Sequence, residues 1–173
     1  MADRGHQVGA VDSSRAMIRR AQSRGLNVLM GDLRSLPIRD QAIDLTVCGL
    51  ALTHLEDLRP PIAELARVTK TGGHVVISDI HPFSVALGGH ALFRDVEGRS
   101  AVVRNHQHWH SHYIEAFEEA GLRIRGCVAG GASRRRRRSA APVDGPGAGG
   151  AVQDQDPVQV VDLVLDGAGL ETA

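Results

Sequence analysis

The sequence predicts an α/β fold, a mainly parallel sheet flanked by helices, on three observations. Apolar stretches of strand length at 6–11, 27–30, 43–48 and 74–80 end at polar or glycine-containing turns. Helical patterns follow the first and third of them, at 13–24 and 60–68. The stretch 43–48 is nearly all apolar, as a strand covered on both faces is. Strand, helix, strand, strand, helix, strand with short turns is the order of a parallel α/β sheet.

Each element has a local reason. The first strand stops at Asp12, and Ser13 or Ser14 can cap the helix that follows by accepting from a free N–H of its first turn. Ala16, Met17, Ile18 and Ala21 supply its apolar face, and Gly25 is placed to end it in a left-handed conformation. Pro60 and Pro61 suit a first helical turn, where no donor is needed. The helix they open is expected to end at 70–73, just before the strand 74–80. Residues 83–103 read as a loop or cap, 113–120 as a helix closed by Gly121, and 122–128 as a strand.

A chain of 173 residues is one ordinary domain, and 42% hydrophobic residues suffice for a core, built from Val, Leu, Ile and Ala because aromatics are only 3%. The formal net charge is +0, so bulk charge argues for neither nucleic acid nor membrane as a partner. Cys48 and Cys127 lie far apart, without a disulfide framework or a metal spacing, which fits a reducing, cytoplasmic setting. No apolar run reaches the roughly 20 residues of a membrane helix, and no secretory signal is visible.

After residue 128 the character changes. Five consecutive arginines, Arg134 to Arg138, lead into an Ala-, Gly- and Pro-rich stretch. The division expected is a domain at 1–128 and a low-complexity, disordered tail at 129–173, with only 158–165 able to form another strand. Lys70 is the only lysine among 20 basic residues, which suggests a GC-rich coding sequence, in which a shifted frame stays open; the tail is expected to be foreign to the fold. The arginines lack interleaved aromatics and read as a solvated run rather than a phosphate-binding patch.

Two aspartates stand out. Asp12 closes the first strand, at the edge where open parallel sheets bind ligands. A carboxylate there can accept from both hydroxyls of a ribose, although a helix-capping role explains it equally well. Asp32 closes the second strand beside Gly31, and can accept from the exocyclic amine of adenine or serve as an ordinary turn aspartate.

Here the residues resemble a known family. Val8-Gly9-Ala10-Val11-Asp12-Ser13-Ser14 with Met17 resembles the second-strand motif of class I S-adenosylmethionine-dependent methyltransferases. Gly31-Asp32-Leu33 with Leu36-Pro37 is similar to their adenine-binding turn, and Asp44-Leu45-Thr46-Val47-Cys48 to their fourth strand. Glu64-Leu65-Ala66-Arg67-Val68, Gly72-Gly73 and Val75-Val76-Ile77-Ser78 resemble the next helix and strand. The likeness runs from about residue 5 to 128, and points to the small-molecule enzymes of ubiquinone and menaquinone biosynthesis.

The resemblance implies a Rossmann-like fold, S-adenosyl-L-methionine as cofactor and a small-molecule methyl acceptor. It implies Asp12, with Ser13 and Met17 beside it, at the ribose, Asp32 at the adenine amine, Leu33 against the ring, and Cys48 and Gly49 lining the cofactor. It implies no catalytic base, since methyl transfer can run on alignment. The family's glycine-rich first strand is expected to be absent, leaving the sheet incomplete at the N-terminus, with two edges unpaired and cofactor binding weak.

His106, His108, His110 and His112 alternate, which on a strand would place all four on one face as a metal ligand set. A polar segment at the substrate mouth explains them better, and no metal is expected. A nicotinamide-dependent oxidoreductase of Rossmann type is the second reading, because an acidic residue closing a second strand serves an NAD ribose too. The third is an inactive methyltransferase remnant.

Overall fold

The computed structural model describes residues 4–94, 100–130 and 160–167; for 91–94, 101, 129–130 and 160–167 the backbone alone is described. The first apolar run forms β1 (Gly9–Asp12) and pairs in parallel with β2 (Asn27–Met30), Asp12 opposite Met30. Between them lies α1 (Arg15–Gln22), with Ser14 rather than Ser13 as its cap, its hydroxyl accepting from the N–H of Met17 at 3.4 Å. Gly25 takes a φ of +74° after the helix, a conformation only glycine adopts without strain.

A second sheet begins with β3 (Ile43–Gly49), which pairs in parallel with β4 (Thr69–Ile80). Between them come a 3-10 turn at Leu52–His54 and α2 (Arg59–Val68), with prolines in its first turn. This helix ends at Val68, two residues earlier than the glycines suggested. Thr69 is extended; its hydroxyl bonds the carbonyl of Leu65 at 2.7 Å and meets the Thr46 hydroxyl at 2.6 Å, so 69–73 joins the sheet.

The stretch 83–103 is more ordered than a loop. It follows α3 (Pro82–Ala86) into the antiparallel pair β5 (Ala91–Arg94) and β6 (Ser100–Val103). Next come α4 (His110–Glu119) and β7 (Leu122–Gly130), so a boundary at 128 falls inside a strand. β8 (Val160–Gly167) lies antiparallel between β4 and β7, giving the order β3-β4-β8-β7. β3, β4 and β7 thus share one direction, and β8 alone runs against them.

β8 falls where the sequence allowed one further strand, at 158–165. It is one of the two interior strands of the sheet, pairing from Val160 opposite Ile80 to Asp166 opposite His74. Arg134 to Arg138, and the rest of that stretch at 131–159 and 168–173, lie outside the described residues.

The core lies on one face of this sheet. Cys48, Val75 and Ile77 meet Ile62, Leu65 and Val68 of α2 and Tyr113, Ala116 and Phe117 of α4. Val11, Leu33 and Leu36 join the same cluster, which ties the β1–β2 pair to it. Among the described residues, β1 and β3 each keep one edge without a strand partner, and Leu45 and Val47 of β3 lie open.

Candidate functional site

The parallel strands bring their carboxyl ends to one edge, where open α/β sheets hold ligands. Asp12 closes β1, half-buried, and its Oδ1 accepts from the N–H of Ser14 at 2.7 Å. One oxygen thus turns the chain into α1, and the other, Oδ2, has no partner among the described residues.

Asp32 is brought beside it. The N–H of Gly31 donates to the Asp12 carbonyl at 3.1 Å. Gly31 has to be glycine, because a Cβ there would stand 2.7 Å from both Val11 Cγ1 and Pro37 Cδ. Arg34 grips the Asp32 carboxylate by its backbone N–H (2.8 Å), Nε (3.0 Å) and a terminal nitrogen (2.6 Å). Those hydrogen bonds hold its pKa down at about 2, so it is a permanent acceptor.

The loop after Asp32 is fixed from α2. Arg67 forks onto Glu64 at 2.6 and 2.7 Å and donates to the carbonyls of Ile38 (2.9 Å) and Leu36 (3.2 Å). Glu64 in turn accepts from the N–H of Leu36 at 2.6 Å. The guanidinium keeps the Glu64 carboxyl below its ordinary range, with burial opposing. Leu33, half-buried against the core, sits at the start of this clamped loop.

The other expected residues fall in three different settings. Ser13 is exposed and Met17 is 54% exposed, both open at the start of α1. Cys48 is buried, and burial, then the charge of Asp79, pushes its thiol up to about 12; it is a packing residue, not a nucleophile. Gly49 is exposed and pairs with Ser78, and Leu50 after it takes a φ of +54°. A non-glycine residue in that region costs about 1 kcal/mol and is held here by its N–H bond to the Ser78 carbonyl at 2.7 Å.

The four alternating histidines do not form a strand face. Residues 104–109 are irregular and α4 begins at His110; the His108 ring lies 6.4 Å from His106, stacked, and 6.3 Å from His112, edge-on. His108 is buried and its Nε2 bonds the carbonyl of Leu55 at 2.7 Å, while His106 is half-buried and His110 and His112 are exposed. Among the described residues no group of side chains is arranged to hold a metal ion.

The sequence reading missed a buried carboxyl at the same edge. Asp79 near the end of β4 is 4% exposed. Its Oδ2 accepts from the Tyr113 hydroxyl at 2.7 Å, its Oδ1 from the N–H of Ile80 at 2.8 Å, and the N–H of Thr53 also donates to it. Burial raises its pKa, and these donors and His108 oppose the rise. The Tyr113 hydroxyl is pushed up as well, first by burial and then by Asp79. An acidic residue ending an apolar run was the available signal, as it was for Asp12.

Residues 1–77 match a family model described as Methyltransferase domain. Over 83 residues, 44% of this chain and 35% of the relative, the chain is 37% identical to a demethylmenaquinone methyltransferase of Thermobifida fusca. It is 34% identical over 79 residues to a malonyl-[acyl-carrier protein] O-methyltransferase of Hamiltonella defensa, covering 44% of this chain and 31% of that protein. The chain thus spans about a third of the curated relatives it matches. A solved S-adenosylmethionine-dependent methyltransferase of Methanosarcina mazei shares the fold with a TM-score of 0.69 at 17% identity, over 96% of this chain and 84% of that one. One from Mesorhizobium loti aligns with a TM-score of 0.62 at 20% identity, over 92% and 80%. No described helix is long and apolar enough to cross a membrane. Residues 1–77 are thus similar to methyltransferase domains, and the chain shares its fold with solved S-adenosylmethionine-dependent methyltransferases.

Proposed function

We propose that this chain takes part in methyl transfer from S-adenosyl-L-methionine to a small-molecule acceptor in the cytoplasm. The observation that carries the reading is the pair Asp12 and Asp32, closing adjacent parallel strands and joined through Gly31. The residues fit the adenosine half of the cofactor. Asp12 has an unused oxygen for the ribose hydroxyls, with Ser13 and Met17 open beside it. Asp32 is an ionised acceptor for the adenine amine, and Leu33 offers an apolar side chain to the ring. Cys48, its thiol buried, and Gly49 present backbone at the end of β3. The bound cofactor supplies an electrophilic methyl group on a positively charged sulfur.

The names of the relatives support two kinds of acceptor, a quinone-type ring and a malonyl thioester. Calorimetric titration with S-adenosylhomocysteine tests the reading. Binding that weakens at least tenfold in Asp12→Ala supports it; equal binding by both proteins would overturn the assignment of Asp12.

A further inference from the structure

Histidines gather in two groups where α3 and α4 begin. His106, His108 and His112 adjoin one another, and His81 stands against His110, their ring centroids 5.3 Å apart and their planes inclined at 66°. The second pair joins two helix starts. His81 follows β4 directly and caps α3, and His110 is the first residue of α4. The cap needs an accepting ring: Nδ1 of His81 takes the N–H of Phe83 at 3.2 Å. A backbone N–H only donates, so Nδ1 carries no proton, whereas an imidazolium is a donor at both nitrogens. The Phe83 side chain is 55% exposed and adds little to hold that turn. His110 is exposed in the first turn of α4, where a positive charge meets the positive end of the helix. That turn contains no acidic residue, and Trp109 at the cap makes no side-chain bond to it. Among the described residues no carboxylate makes an ion pair with either ring. Asp79, two residues before His81, is turned into the core, where it accepts from Tyr113, Ile80 and Thr53 and meets His108.

We propose that His81 and His110 form an acid-released latch between the starts of α3 and α4. With both rings neutral, His81 caps α3 and the two rings stand edge to face. When both charge, the Phe83 N–H loses its acceptor, the two rings repel each other, and the charge on His110 opposes the dipole of α4. All three effects act in one direction. The latch is closed at the alkaline end of the histidine range and opens as pH falls through it, between about pH 8 and about pH 5. Release is local, because Pro82 and Val85 are buried and keep α3 on the core, and the bond from Tyr113 to Asp79 does not depend on either ring. Asp79 cannot produce the same response. Burial raises its pKa, so its contribution to stability is retained in acid and lost as pH rises. The latch lies at the edge where the parallel strands end, so acid loosens the ligand edge of the sheet before it loosens the sheet.

The test reads both ends of the latch in the full chain, at about pH 7.5 and about pH 5.5. At α3 the readout is amide hydrogen exchange of Phe83 by nuclear magnetic resonance, taken as a protection factor so that the intrinsic pH dependence of exchange drops out. At α4 it is acrylamide quenching of Trp109, the single tryptophan of the chain. In the wild type, acid should cut Phe83 protection by about fivefold and raise the quenching constant of Trp109, with the circular dichroism spectrum unchanged. His81→Asn keeps an accepting cap at both pH values and carries no charge, so its protection should be the same at both. His110→Gln leaves the cap and removes the second charge, and should reduce the acid effect to about half or less. An acid effect in His81→Asn as large as in the wild type, an undiminished effect in His110→Gln, or no effect in the wild type would each overturn the latch. Loss of the circular dichroism signal together with Phe83 protection would also overturn it, because the response would then be global unfolding.

Discussion

The hydroxyl of Tyr113 on α4 donates to Asp79 on β4 across 2.7 Å, with both side chains buried, 34 residues apart in sequence. This bond ties the helix that precedes β7 to the ligand edge of the sheet. It sets an acidic group in a dry place, where its protonation becomes a property of the fold.

That property gives a prediction about stability against pH. Burial raises the pKa of Asp79 in the folded chain above its unfolded value. The stability it contributes is therefore present below the ordinary carboxylate range and is lost as pH rises through the folded value. Asn can still accept from Tyr113 but does not ionise. Asp79→Asn should gain stability relative to wild type as pH rises from about 4 to 8. Urea unfolding of both proteins across that range checks it, and parallel curves would contradict the account.

Gly31 predicts a steric cost. A methyl group there meets Val11 and the Pro37 ring at 2.7 Å, and neither can swing away as a long side chain would. Gly31→Ala should lose about 1–3 kcal/mol of stability, as overpacking does. For a chain of this size the melting midpoint should fall by about 2–4 °C for each kcal/mol. An unchanged midpoint would show that the β1–β2 end is looser than described.

Arg67 predicts that charge alone does not replace shape. Its fork holds Glu64 and two carbonyls of the loop that follows Asp32. Lysine keeps the charge but cannot make the bidentate contact. Arg67→Lys should lower the melting midpoint, measured by thermal unfolding. It should also weaken S-adenosylhomocysteine binding, because Leu33 and Asp32 depend on that loop.

Much of this fold was legible in the sequence because the signals were local. The strand 27–30 was read with the bounds the structure gives it, and the prolines of α2 marked its first turn. The end of α2 was misplaced because the glycines at 72–73 are conspicuous, whereas Thr69 stops the helix through bonds to Leu65 and to Thr46 on another strand. β8 was visible as a strand-length apolar run at 158–165, but its pairing to β4 and β7 is long-range and no local signal announced it. Asp12 and Asp32 stood out in the sequence because each sits where a strand visibly stops. Asp79 also closes an apolar run, but its burial and its bond to Tyr113, which set it apart, are long-range and not read from the sequence. The histidines alternate without forming a strand face, because 104–109 is irregular and α4 begins at His110.

The adenosine site is tested most directly by comparing adenosine with 3′-deoxyadenosine, by calorimetry, on the wild type and on Asp12→Ala. The account predicts that the wild type prefers adenosine about tenfold, one charge-assisted hydrogen bond, and that Asp12→Ala binds the two alike. A preference that survives in Asp12→Ala would contradict the assignment of Asp12 to the ribose, and with it the pairing of Asp12 and Asp32 on which the functional reading stands.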